Sequence, residues 1–305
     1  MIKAAASIFL TVLLLASQAQ QGKVDIKIAP VSGSVHKVTV TAGRGLGNMS
    51  FSTGPDGVLL VDTLIEEWAS LALPAIRQVS DRPVKFIVNT HWHGDHWGGN
   101  RLFKGEPVII AHNNVRKRLK EGMHPPWQQN PTPPQPPEVL PVITVEDKLS
   151  LYFNGEEVRL IHFPRSHTDG DTVVYFTGSK VVCMGDTIFV VLNELRPTPS
   201  VWSGGDAESL ARNLESLLGL IAPDTKVIPG HGRLMDVEDL KMFHRVLTTT
   251  IESVRRGLAA GKSKEAIIAA GLPSEFRTWR ELTIPQDQWI ESTYESLTQK
   301  STGRN

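Results

Sequence analysis

The sequence predicts a mixed α/β fold of two sheets with helices outside them. Three observations predict it. Apolar runs of strand length, divided by turn residues, recur between residues 35 and 184. Stretches with apolar residues at helical spacing accompany them at 65–79, 207–221 and 237–256. The apolar run at 85–88 ends on Asn89-Thr90-His91-Trp92-His93-Gly94-Asp95-His96, so a buried strand hands a set of ligand-type side chains to the loop after it.

Taken in order, residues 35–40 alternate like a strand, and Gly43 to Gly47 reads as a flexible turn before Met49-Ser50-Phe51. Pro55-Asp56-Gly57 predicts a tight turn into a buried strand at 58–61 that ends on Asp62. A helix over 65–79 and the strand before the histidine loop follow. A short strand is expected at 108–110, with a basic helix over 113–120 behind it. Eight prolines then fall from His124 through Pro141, which excludes regular helix or central strand; this segment is expected as a stiff surface loop, either a connector or a lid using Trp127. Strands are expected at 142–145, 149–153, 158–163, 172–176, 181–184 and 226–228. Asp206 and Asp236 are placed to N-cap the two later helices. From Lys264 onward the tail reads as amphipathic helix, with Trp279, Trp289 and Tyr294 packing. The organisation expected is a signal peptide over 1–19, the two-sheet domain over 20–235, and C-terminal helices over 236–305 packed on it.

Lys3 and the apolar run at 8–15, followed by Ser17-Gln18-Ala19, have the pattern of a cleaved export signal. The run is far short of the roughly 20 residues that span a bilayer, so no stable membrane span is expected there. Basic and acidic residues are 32 each, and losing Lys3 leaves 31 against 32, a net charge of −1. That balance, without a basic stripe, points away from nucleic acid. Cys183 is the lone cysteine, which excludes an internal disulfide. An odd offset from Asp186 along a strand would put it on the opposite face, as a small buried hydrophobe.

The chemistry concentrates in the histidine loop. In a nearly extended segment His91 and His93 point to one side and can share one metal, while a turn at Gly94 directs Asp95 and His96 to a second position. Imidazoles and carboxylates suit zinc, although iron and manganese accept the same set. Three more places end a strand with a ligand-type residue beside glycine or a turn: His167 in Pro164-Arg165-Ser166-His167-Thr168-Asp169-Gly170-Asp171, Asp186 in Met184-Gly185-Asp186-Thr187, and His231 in Pro229-Gly230-His231-Gly232. The other histidines, His36, His112, His124, His162 and His244, read as surface or hydrogen-bonded groups.

The series His91-x-His93-x-Asp95-His96, His167, Asp186, His231 resembles the metallo-β-lactamase superfamily, in type and order, from about Val35 to Gly232, and Asp62 at a strand end also fits. The resemblance implies an αββα sandwich with a metal site along one edge of the sheets. It implies two zinc ions: His91, His93 and His167 on one, Asp95, His96 and His231 on the other, Asp186 between them. It further implies attack on a carbonyl by a metal-activated hydroxide that Asp95 would orient as the catalytic carboxylate. The net positive site favours a small anionic substrate. A β-lactam-like cyclic amide is the first reading, if only as a secondary activity. Asp186, where the cysteine-containing zinc β-lactamases carry cysteine, instead resembles glyoxalase II, so a thioester, lactone or ester is the alternative. A mononuclear-iron persulfide dioxygenase is the reading from another class. The sequence is silent on oligomeric state.

Overall fold

The computed structural model describes residues 24–124, 129–188 and 190–301. The expected export signal and Trp127 lie outside them.

The chain opens with an antiparallel meander: β1 (Val24–Ser32), β2 (Val35–Ala42), β3 (Gly45–Gly54) and β4 (Gly57–Val61). Helix α1 (Glu66–Val79) returns the chain to β5 (Val84–Val88), parallel to β4. The histidine loop follows, then the single turn α2 (Gly94–Trp97), β6 (Val108–His112), α3 (Asn113–Glu121) and β7 (Ile143–Val145). These strands form one seven-stranded sheet in the order β1 to β7. The second sheet collects β8 (Lys148–Phe153), β9 (Glu156–Phe163), β10 (Asp171–Phe176) and β11 (Val181–Cys183). After a short hairpin, β12 (Val190–Val191) and β13 (Glu194–Leu195), helix α4 (Ala207–Leu220) leads to β14 (Lys226–Ile228), parallel to β11, and to β15 (Met235–Asp236). Helices α5 (Val237–Ala259) and α6 (Lys264–Ala270), strands β16 (Thr278–Trp279) and β17 (Leu282–Thr283), and helix α7 (Gln286–Ser301) complete the described chain.

Side-chain alternation explains the layering. Leu59 and Val61 of β4, Val88 of β5 and Ile110 of β6 meet Val158, Leu160, Val174, Val181 and Ile228 of the other sheet in a core between the sheets. The intervening Leu60 and Ile87 face outward against Ala72 and Ile76 of α1. On the far face of the second sheet, Val173, Tyr175 and Val182 pack against Leu210 and Leu214 of α4, Phe243 and Leu247 of α5, and Trp289 of α7. The order of layers is therefore helix, sheet, sheet, helix, and the central strands read as unbroken apolar runs because both of their faces are covered. Each such residue moved from water contributes about 1.5–3 kcal/mol.

Three expectations are corrected. The strand Val24–Ser32 precedes the first one expected; its mixed exposed and half-buried residues carry no apolar run. Gly45 and Gly47 belong to β3, and the turn is confined to Gly43 and Arg44. The strand expected at 142–145 forms as β7 and pairs with β6, which places it in the first sheet. The tail is not one helical stretch: β16 and β17 interrupt it and join β12 and β13 in a small third sheet. Asp206 and Asp236 do cap α4 and α5, and Asp236 forms a reciprocal capping box with Asp239.

Candidate metal centre

The two sheets bring the ends of their parallel strands to one edge. Asp62 follows β4, His91 follows β5, Asp186 follows β11 and His231 follows β14. Strands paired in parallel end on the same side, so residues separated by well over a hundred positions become neighbours there.

Two groups of side chains converge. His91, His93, His167 and Asp186 offer ligand atoms within 4.8 Å of one another, and Asp95, His96 and His231 form a second such group. These are the seven residues singled out in the sequence, with Asp186 falling in the first group. His91 Nε2 and His167 Nε2 each lie 3.1 Å from His93 Nδ1. Three nitrogens around a tetrahedral zinc at about 2.0–2.1 Å would stand about 3.3–3.4 Å apart, so the spacing fits. Asp186 touches both groups: Oδ2 is 3.8 Å from His167 Nε2 and 3.4 Å from His231 Nε2, while Oδ1 is 3.4 Å from His96 Nε2. His231 Nε2 is also 3.2 Å from Asp95 Oδ2. His96 Nε2 and Asp186 Oδ1 are buried with no hydrogen-bond partner, a costly arrangement unless something between them is bound.

The second ring nitrogen of each histidine fixes which one faces the centre. His96 Nδ1–H donates to Asp62 Oδ2 at 2.7 Å. The Thr90 hydroxyl donates to the same carboxylate, so Thr90 Oγ1 accepts from His91 Nδ1–H at 3.2 Å. His167 Nδ1–H donates to the Thr198 carbonyl, and His231 Nδ1–H to the Leu46 carbonyl. His93 differs, pairing Nε2 with Ser203 Oγ at 3.1 Å and turning Nδ1 inward. Such outer partners hold the tautomer that a metal needs.

Burial first, and then the neighbouring imidazoles, hold His91 well below the usual histidine range and push His93 down to about 3, so both are neutral acceptors. His96 and His231 go the other way. Burial opposes their protonation, but Asp62 and Asp186 raise His96 well above its ordinary value, and Asp186 and Asp95 raise His231 to about 10. Burial works against the charge of Asp186 and Asp95 as well, yet the facing imidazoles lower both carboxyls. This is a water-poor cleft with opposite charges held close, the environment in which a divalent cation displaces protons.

The backbone is arranged around the cluster. His93 is extended and opens α2, so the turn at Gly94 is a helix start rather than a left-handed glycine. Asp62 and Leu64 adopt left-handed conformations at φ 61° and 60°, strain held where Asp62 must reach Thr90 and His96. Asp171 accepts from the backbone N–H groups of His167 and Thr168, both at 2.7 Å, and so shapes the His167 loop.

A sequence profile of the metallo-beta-lactamase superfamily matches residues 42–232, more than half the chain. The chain belongs to the metallo-beta-lactamase superfamily. A hydroxyacylglutathione hydrolase of Prochlorococcus marinus is 30% identical over 43% of this chain and 46% of its own length. The chain thus spans about half the length of that curated relative. Among solved structures, the metallo-beta-lactamase from Pontibacter korlensis superposes with a TM-score of 0.60 at 19% identity, over 73% of this chain and 99% of that one. A sec-alkyl sulfatase superposes with a TM-score of 0.69 at 18% identity, over 88% of this chain and 50% of that one. At such identities the likeness is one of fold.

Sequence reasoning passed over the supporting residues. Thr90, Ser203, Thr198 and Leu46 carry no ligand signature, and three of the four act through a backbone atom or a distant loop. Asp171 was visible, three residues after Thr168 in the His167 loop. Cys183 is buried in the core between the sheets, where burial raises its thiol to about 12. Asp186 lies in a 3-10 turn rather than in the strand, so the alternation argument did not apply although its conclusion agrees.

Proposed function

We propose that the protein is a two-zinc hydrolase of a small, negatively charged carbonyl substrate, with a thioester or ester ahead of a β-lactam-like amide. The observation that carries this reading is Asp186, which stands between the two ligand groups and can serve both. The aspartate at this position and the relative named hydroxyacylglutathione hydrolase support the thioester order. Zinc bound there supplies a water that is nucleophilic near neutral pH and a Lewis acid for the carbonyl oxygen.

His91, His93 and His167 would hold the first ion and Asp95, His96 and His231 the second, with Asp186 placed to serve both. Asp95 is the more open carboxylate, 39% exposed at its side chain against 8% for Asp186, so it is the one placed to orient an attacking water. The neutral His91 and His93 add no charge of their own, which leaves the site positive enough to attract an anion. The sequence pattern at 1–19 supports export of the protein.

Elemental analysis of the purified protein, with hydrolysis assays on a chromogenic cephalosporin and a simple thioester, tests this. About two zinc ions with thioester turnover is the expected result. One iron per chain with neither substrate cleaved would move the protein to oxygen chemistry. Asp186→Ala is expected to loosen both ions; full two-metal binding and activity in that variant would remove the bridging role.

A further inference from the structure

Beside the His231 edge lies a cavity of about 560 Å³ between the outer part of the first sheet, the β12–β13 hairpin and the segment 232–234. Lys37 of β2 lines it and is only 8% exposed. Its Nζ donates to Thr39 Oγ1 at 2.6 Å and to the Gly232 carbonyl at 3.0 Å, both uncharged acceptors. Among the described residues no carboxylate forms an ion pair with it. Lys27 and Arg44 stand on the same wall and add like charge. Burial, reinforced by Lys27, pushes the Lys37 ammonium down to about 8. A buried cation without a counter-ion is unfavourable, so an anion bound beside it would be stabilised.

Leu46, Val190, Leu234 and Leu282 give it apolar walls, with Thr41, Asn193 and Arg233 among the polar residues around them and exposed Leu192 beside them. Leu192 is 62% exposed and sits at φ 50°, next to Asn193 at φ 61°. A branched apolar side chain held outward on a left-handed turn is a strained feature of the kind found at binding sites. The cavity is also tied to the metal centre. Lys37 holds the carbonyl of Gly232, the residue after His231, and the Leu46 carbonyl on the cavity wall orients the His231 ring.

We propose that this cavity is a subsite for the anionic end of the substrate, a carboxylate, sulfonate or sulfate carried on an apolar body, with Lys37 as its counter-ion. The inference rests on the hydrolase reading above and narrows its substrate class to amphiphilic anions. The Lys37 ammonium takes the charged end, and the leucine and valine walls take the aliphatic part.

The test uses octane-1-sulfonate, a weak zinc ligand, titrated calorimetrically into the zinc-loaded protein. Saturable binding to the native protein is expected, at least tenfold weaker in Lys37→Met, with acetate showing no such difference. Lys37→Met should keep its zinc and melt no lower than the native protein, because an uncompensated charge has been removed. A merely structural lysine would give the opposite pattern, a lower melting temperature with unchanged sulfonate affinity. Arg44→Gln, at an exposed position on the rim, should weaken binding several-fold and carries the test if Lys37→Met does not fold. Octane-1-sulfonate should raise KM for the hydrolysed substrate and leave kcat unchanged. Equal affinity in both proteins, no binding to the native one, or an unchanged KM overturns the subsite. If two zinc ions and turnover persist in that case, only the subsite falls; absence of both removes the hydrolase reading instead.

Discussion

Asp62 shows how much one side chain outside the ligand set can govern. It accepts from the Thr90 N–H and hydroxyl and from His96, all within 2.8 Å, and so orients one ligand directly and His91 through Thr90. Asp62→Asn is expected to lower zinc affinity by about 10–100-fold, measured by competition with a fluorescent chelator. Unchanged affinity would mean that packing alone orients the two rings. Gly230 is constrained by space: a Cβ there would lie 2.0 Å from Asp186 Oδ1. Gly230→Ala should displace that carboxylate and reduce bound zinc below two per chain, while the circular dichroism spectrum stays unchanged. His112 gives a pH dependence away from the candidate metal centre. Burial, with His162 stacked 3.7 Å away, pushes it down to about 4 from an ordinary 6.5. Between those values the unfolded chain binds the proton and the folded one does not, so its contribution is intact above 6.5 and is lost as pH falls towards 4. His112 Nδ1 also accepts from the Asn114 N–H at the start of α3. His112→Asn keeps a capping acceptor without the titration, so urea midpoints at pH 7 and pH 5 should differ less in the variant than in the native protein.

Among the elements, α5 carries the clearest local logic. Its Asp236 accepts from the Asp239 N–H while Asp239 accepts from the Asp236 N–H, satisfying two of the open donors at that end. Asp236→Ala should cost about 1 kcal/mol, within the usual range of about 0.5–2 kcal/mol, and Asn should recover most of it in chemical denaturation. The same end is tied to the tail: Arg233, Arg280 and the Trp279 indole all bond Asp239. Those contacts anchor the small third sheet, whose two-residue strands have too little apolar pattern to stand out in sequence. The aromatic residues of the tail do pack as expected, with Trp289 fully buried beside Phe243.

At the scale of the whole molecule, the candidate centre would act as a clasp between the two sheets. The residues that could hold metal come from the first sheet at His91, His93, Asp95 and His96 and from the second at His167, Asp186 and His231. A cation held by both sheets would bind the folded chain and not the unfolded one. At free zinc a hundredfold above its dissociation constant, this linkage is worth roughly 2.7 kcal/mol per ion. Chelation is therefore expected to lower the melting temperature by several degrees and restored zinc to recover it. An identical melting curve with and without chelator would show that the clasp contributes nothing to stability.

The sequence by itself determined the layered α/β class, the helix caps and the seven ligand-type residues. Those depend on signals that stay local: apolar period, Asp before a helix, His and Asp beside glycine at a strand end. It did not reveal β1, the assignment of β7 to the first sheet or the strands within the tail, because short, half-exposed strands owe their pairing to neighbours rather than to their own pattern. Nor could it show which ring nitrogen each histidine turns inward, that Lys37 lies buried beside a cavity, or that Leu46 and Thr198 hold ligands by their carbonyls. Those are relations between segments far apart in the chain. Only the packing of one sheet on the other sets their distances, and only those distances decide which groups share a charge or a proton.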